Sequence, residues 1–170
     1  MKRSEMNAII RDAMQFIDSL HFALPPFAQW TPMDWAAKGA ECQEIRDNML
    51  GWDITDYGMG DFKRIGSVLF TIRNGDINDA SIGTPYAEKI IPIYEGQRLP
   101  MHFHSHKTED IINRGGGVLY LKLCNANADD SPDYKSEVQV YLDGILNTFA
   151  PSEEILIHPG SSITLTPRLY

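Results

Sequence analysis

Three side chains with the chemistry of transition-metal ligands fall close together in this sequence: His102, His104 and Glu109. On an extended strand successive side chains alternate between faces, so His102 and His104 project from one face and can share an ion. Phe103 then points the other way. Glu109 follows far enough after His104 for the chain to turn across residues 105–108 and return the carboxylate on an adjacent strand. Two imidazole nitrogens and one carboxylate oxygen form a borderline donor set, suited to Mn, Fe, Co, Ni or Zn rather than Ca or Mg alone. Three protein donors leave positions open for water or substrate, which catalysis requires and a closed structural site lacks. The competing reading is that surface or core histidines merely fall close together; three ligand-type residues at strand-compatible spacing weigh against it.

The spacing resembles a known pattern. Gly96, five residues, His102-Phe103-His104, four residues, Glu109, six residues and Gly116 resembles the first sequence motif of the cupin superfamily at every defined position.

The chain that must position these residues has 170 of them, 43% hydrophobic, which fits one compact domain with an ordinary core. A single domain over residues 1–170 is expected, with a helical N-terminal extension over 1–52 and a barrel over 66–170. A net charge of -8 and a pI near 5.0 disfavour nucleic acid and anionic membranes as partners, because both require local positive potential. No apolar window reaches bilayer length, and Met1-Lys2-Arg3-Ser4-Glu5 leads into mixed polar sequence rather than a signal core. A cytoplasmic location is therefore expected. Cys42 and Cys124, far apart in sequence, are expected as free buried thiols rather than a disulfide.

Ser4 is the expected cap of a first helix in which Met6, Ile9, Ile10, Ala13, Met14, Phe16, Ile17 and Leu20 recur at helical spacing, ending before Pro25-Pro26. Thr31 followed by Pro32 predicts a second, short helix to about residue 39, and residues 40–50 a third, ending at Gly51. These helices carry no recognisable chemistry and are expected to pack outside a sheet or form an oligomer contact. From about residue 67 the character changes. Val68-Leu69-Phe70-Thr71-Ile72-Arg73 is β-branched and aromatic, and Asn74-Gly75 signals a turn. Further strands are expected at 86–94, 99–104, 110–112, 118–124, 137–142, 154–158 and 162–166, the pattern of an antiparallel sandwich or barrel. Gly115-Gly116-Gly117 suits a tight turn; no Gly-Lys-Ser/Thr follows it, so a phosphate loop is discounted. Residues 125–132 read as a loop.

The wider run from Glu88-Lys89-Ile90-Ile91-Pro92-Ile93-Tyr94 through the histidines to Asn113-Arg114-Gly115-Gly116-Gly117 resembles the bacterial D-lyxose isomerases, cupin enzymes that interconvert D-lyxose and D-xylulose. That resemblance implies an all-β cupin jelly-roll barrel with additional N-terminal α-helices, a divalent metal, usually manganese (Mn(2+)), and commonly a homodimer. Carried over by position, His102, His104 and Glu109 are three metal ligands. The last cupin ligand is a histidine in a second motif, and Pro159-Gly160 followed by residues 164–170 looks like the approach to it. The expected histidine falls immediately after Tyr170: either a C-terminal segment beyond this sequence carries it, the favoured expectation, or the protein is truncated and its site has only three ligands. The usual motif glycine is replaced near Leu169. His158 precedes Pro159-Gly160 at a strand end and reads as structural. His106 continues the alternation, and is either a group behind the ligands or against substrate, or a turn histidine.

An aldose and its 2-ketose differ by the placement of two hydrogens between C1 and C2. A metal on both oxygens polarises the carbonyl and stabilises the developing enediolate while a base moves the proton; a metal-assisted hydride shift fits the same donors. Lys89, before the motif, and Lys107, beside the ligands, are the candidate catalytic groups that neutralise oxyanion charge or hold sugar hydroxyls, with solvated lysines as the other reading. The isomerase resemblance implies a carboxylate base, expected in the C-terminal segment beyond Tyr170, with Glu88 and Glu95 as weaker internal candidates. The expected function is a metal-dependent aldose-ketose isomerase acting on free lyxose-type pentoses. The rivals are another metal-dependent cupin enzyme, an oxygenase or a sugar-phosphate isomerase, and a non-catalytic sugar-binding cupin. A phosphorylated substrate calls for a basic cluster, and only Arg98, Lys107 and Arg114 are candidates for one.

Overall fold

In the computed structural model, which describes residues 1–170, the apolar repeat near the N-terminus forms α1, Arg3–Ser19, with Ala13 and Ile17 buried. The cap is Lys2 rather than Ser4. Lysine offers no side-chain acceptor, so the capping bond is the reverse one: the Lys2 backbone N–H donates to Glu5 Oε2 at 2.6 Å. α2, Pro32–Ala36, starts where expected. Asp34 N donates to Thr31 Oγ1 at 3.2 Å and Thr31 N to Asp34 Oδ2 at 2.7 Å, a reciprocal cap. It ends short of residue 39.

The helix expected over 40–50 is instead a 3-10 turn, Ala40–Cys42, and α3, Gln43–Asp47. Met49 at φ 53 turns the chain out of helical geometry, and a strand not foreseen, β1 at Gly51–Thr55, begins inside the expected helical extension. A further 3-10 turn at Pro26–Gln29 was not legible either.

β2, Ser67–Asp76, and β3, Asp79–Ile90, complete a three-stranded antiparallel sheet in the order β1-β2-β3. Asn74-Gly75 lies within β2 and not at the turn, which sits two residues on, where Asn78 N donates to Asp76 Oδ1. Gly75 faces Gly83 across the pair, and a Cβ there would stand 2.3 Å from Thr84 N, so the glycine serves close strand approach. Ala28, Phe70 and Ile72 form the buried centre, flanked by Phe22, Leu24, Phe27, Trp52 and Ile90.

All of this belongs to one of two compact units, Met1–Pro100; the other is Met101–Tyr170. The second unit contains β4 Glu109–Ile112, β5 Leu119–Lys122, β6 Asn125–Ala126, β7 Pro132–Asp133, β8 Val138–Leu142, β9 Ile145–Phe149, β10 Glu154–Ile157 and β11 Ser162–Leu165. A four-stranded sheet runs β4-β11-β8-β9, with two-stranded pairs β10-β5 and β6-β7, all antiparallel. Inward residues of β8, β10 and β11 (Val138, Val140, Ile155, Ile157 and Ile163) meet in one core with Leu123 and Leu169. Strand alternation dictates this: Val138 and Val140 are buried while Gln139 and Tyr141 are exposed.

The class is the expected one, mostly antiparallel β-structure of cupin-like kind with helices ahead of it, although no sheet closes on itself into a barrel. Three local expectations are corrected. Residues 99–104 are not a regular strand; Pro100 lacks the N–H a ladder needs. Residues 125–132 include a strand and part of another, since β6 pairs with β7. β9 was missed, although Asp143-Gly144, at φ 50 and 80, is the dipeptide that a two-residue hairpin turn demands. Cys42 and Cys124 are buried free thiols, and no helix is long and apolar enough to cross a membrane.

Candidate metal centre

β4 carries Glu109 at its first position, paired with Leu165 of β11. Two residues along, Ile111 pairs with Ile163 and packs against the core, so Glu109 shares the core-facing side of the sheet while Asp110 faces out. There Asp110 Oδ1 accepts from Thr164 Oγ1 at 2.6 Å, a cross-strand bond that pins the register placing Glu109. At the far end of β4, Asn113 anchors the glycine turn: its Nδ2 donates to Gly117 O at 2.9 Å and Ile157 O at 2.8 Å, and its Oδ1 accepts from Gly115 N. Sequence reasoning passed over Asn113. Its position next to a run of three glycines, where a buried amide must satisfy loose backbone, was the available signal.

His102 and His104 stand on an extended segment, their ring centroids 5.2 Å apart and nearly perpendicular, at 81°. The alternation expected of them holds without a ladder, because Phe103 turns its ring away onto Tyr170. His104 Nε2 lies 3.5 Å from Glu109 Oε2, and Lys107 Nζ lies 3.5 Å from the other carboxylate oxygen, Oε1. The carboxylate is thus flanked by an imidazole on one side and an ammonium on the other. Glu109 is 35% exposed, so the group is open enough to meet a small molecule yet sits on an apolar sheet face.

The donors suit a first-row ion. Two ligand atoms each about 2.1 Å from one ion, at tetrahedral or octahedral angles, stand about 3.0–3.4 Å apart, close to the observed His104–Glu109 separation. No group of three His, Cys, Asp or Glu side chains is closed around a common point as it stands. Of the residues singled out by sequence, the second unit brings together His102, His104, Lys107 and Glu109. Lys89 belongs to the first unit, exposed on β3 opposite Thr71.

Comparison with known proteins gives a concordant result. The sequence profile of the D-lyxose isomerase family matches residues 1–170. A D-lyxose/D-mannose isomerase from Serratia proteamaculans is 43% identical over 171 aligned residues, covering 100% of this chain and 75% of the relative. A D-lyxose/D-mannose isomerase from Escherichia coli O157:H7 is 40% identical over the same span, with 100% and 75% coverage. The full-length profile match and two relatives at this identity reach well beyond the short histidine motif, and this chain belongs to the D-lyxose isomerase family.

Proposed function

We propose that this sugar isomerase interconverts D-lyxose and D-xylulose, with a divalent cation held by His102, His104 and Glu109. The observation that carries the reading is the 3.5 Å approach of His104 Nε2 to Glu109 Oε2 beside the His102 ring, in a chain of this family. D-Mannose has the same configuration as D-lyxose at C2, C3 and C4. A site that reads the first hydroxyls of the sugar takes both, in keeping with the names of the two relatives.

When bound, the cation supplies Lewis-acid polarisation of the sugar's C1 carbonyl and C2 hydroxyl. His102 and His104 are neutral nitrogen donors and Glu109 the anionic one. Lys107 offsets the Glu109 charge with one N–H and keeps others for a sugar oxygen. A carboxylate base takes the C2 hydrogen as a proton and returns a proton to C1 through an enediol, while the hydroxyl proton passes from O2 to O1. The proposal extends to manganese as the ion and a homodimer as the assembly, both carried by the family resemblance alone, and to the cytoplasm as the compartment, the location the sequence leads one to expect.

The test is proton NMR of D-lyxose incubated with the full chain in D2O, before and after EDTA treatment and again after adding Mn(2+). D-Xylulose carrying deuterium at C1, lost on chelation and restored by Mn(2+), is the expected result. Absence of any ketose with Mn(2+) present overturns the activity, and an undiminished rate after chelation overturns the metal.

A further inference from the structure

Phe103 sits between the two histidines and points the opposite way, into a clamp built by the last residues of the chain. Its ring lies 4.9 Å from that of Tyr170, at 66°, and the Arg168 guanidinium lies 5.5 Å from its centroid, within cation–π range. The clamp is itself tied down. Arg168 Nη1 is 2.9 Å from Asp130 Oδ1, Arg168 Nη2 donates to Asn127 O at 2.6 Å, and the Tyr170 hydroxyl donates to Asp130 O at 2.5 Å. The Arg168 backbone N–H donates to His104 O at 2.9 Å.

Two further observations make Arg168 more than a surface cation. It adopts φ 65, a left-handed conformation disfavoured for any residue with a Cβ, and glycine is the residue that suits it. The side-chain contacts offset that disadvantage. Residues 102–104 also lie outside any regular strand, so no ladder dictates the directions of their side chains. In an extended segment the side chain at one position fixes the backbone that aims its two neighbours. A Phe103 ring held by Arg168 and Tyr170 therefore anchors the backbone from which both imidazoles project.

We infer that Arg168 is a positioning residue: through the Phe103 ring its side chain anchors the segment from which His102 and His104 reach a shared cation. This rests on the metal-site reading above. The ion pair it makes is exposed, 42% and 63% for the two side chains, and exposed pairs contribute little to stability. The effect of removing the arginine should consequently fall on the site more than on the fold.

The test compares the full chain with Arg168→Ala and Arg168→Gly in three measurements: the melting temperature, Mn(2+) affinity from the electron paramagnetic resonance signal of free Mn(2+), and the imidazole nitrogen and proton resonances of the metal-free protein. Arg168→Gly suits the left-handed backbone, so it keeps the test decisive if Arg168→Ala folds poorly. The expected result for Arg168→Gly is about tenfold weaker Mn(2+) binding, as for other residues that orient metal ligands. The His102 and His104 resonances should move while those of His21 and His158 stay, and the melting temperature should hold within a few degrees. Unchanged imidazole resonances together with unchanged Mn(2+) affinity overturn the inference. Failure of the unaltered chain to bind Mn(2+) sinks the metal reading instead, and the metal-free resonances then decide the positioning role on their own.

Discussion

Glu109 of β4 stands directly opposite Leu165 of β11, on the side of the sheet that Ile111 and Ile163 commit to the core. A carboxylate on an apolar sheet face needs partners, because burying charge without them is expensive. His104 and Lys107 approach one carboxylate oxygen each. The position is thus poor for stability and well suited to holding a cation at the edge of a core.

Lys107→Met removes the ammonium beside Glu109 Oε1 while keeping a similar chain length. If Lys107 holds a sugar oxygen, kcat/KM for D-lyxose should fall by roughly tenfold, or about 1.4 kcal/mol, with bound metal unchanged. Steady-state kinetics and metal analysis on the same preparation check this. Unchanged kinetics would return Lys107 to the status of a solvated lysine.

Asp143 links the β8–β9 hairpin to β11. Its Oδ1 accepts from Ser162 N at 2.7 Å and Ser162 Oγ at 3.0 Å, and these bonds, the backbone one foremost, hold its carboxyl below the usual carboxylate range. A group whose pKa is lowered by folding contributes stability that is full above its unfolded value, about pH 4, and lost as pH falls through the lower folded value. Asp143→Asn offers a weaker, uncharged acceptor. Its melting temperature should lie below that of the unaltered protein at neutral pH, and the gap should close as the pH falls from the unfolded value through the lower folded one. A gap independent of pH would contradict the charge-based account.

Ile163 is fully buried between Ile111 and Leu142. Ile163→Ala should cost about 2–5 kcal/mol in urea unfolding, through lost burial and an unfilled cavity, while Ile163→Val should cost about 0.5–1.5 kcal/mol. Equal effects of the two would mean that the sheets relax to fill the space, and that this core does not rigidly fix Glu109.

The convergence of His102, His104 and Glu109 was legible because its message is local: His-x-His on extended backbone and a carboxylate at the start of the next strand. The long helix α1 and strands with inward valines and isoleucines, such as β8 and β10, were legible for the same reason. What failed depended on tertiary partners. Asn74-Gly75 has the composition of a turn, yet the chain runs straight through it because Gly75 is needed opposite Gly83. The short pieces between residues 26 and 47 are too brief for periodicity to define. The ties from Arg168 to Phe103, Asp130 and Asn127 span about forty to sixty-five positions of sequence, and no spacing rule foretells them.

The measurement that tests the central claim most directly is the metal content and D-lyxose isomerase activity of His102→Ala and Glu109→Ala, purified beside the unaltered chain, with circular dichroism to verify folding. The account predicts that each variant folds, loses its bound divalent metal and loses isomerisation together with it. A folded, metal-stripped His102→Ala protein that still turns over D-lyxose at the unaltered rate would contradict it.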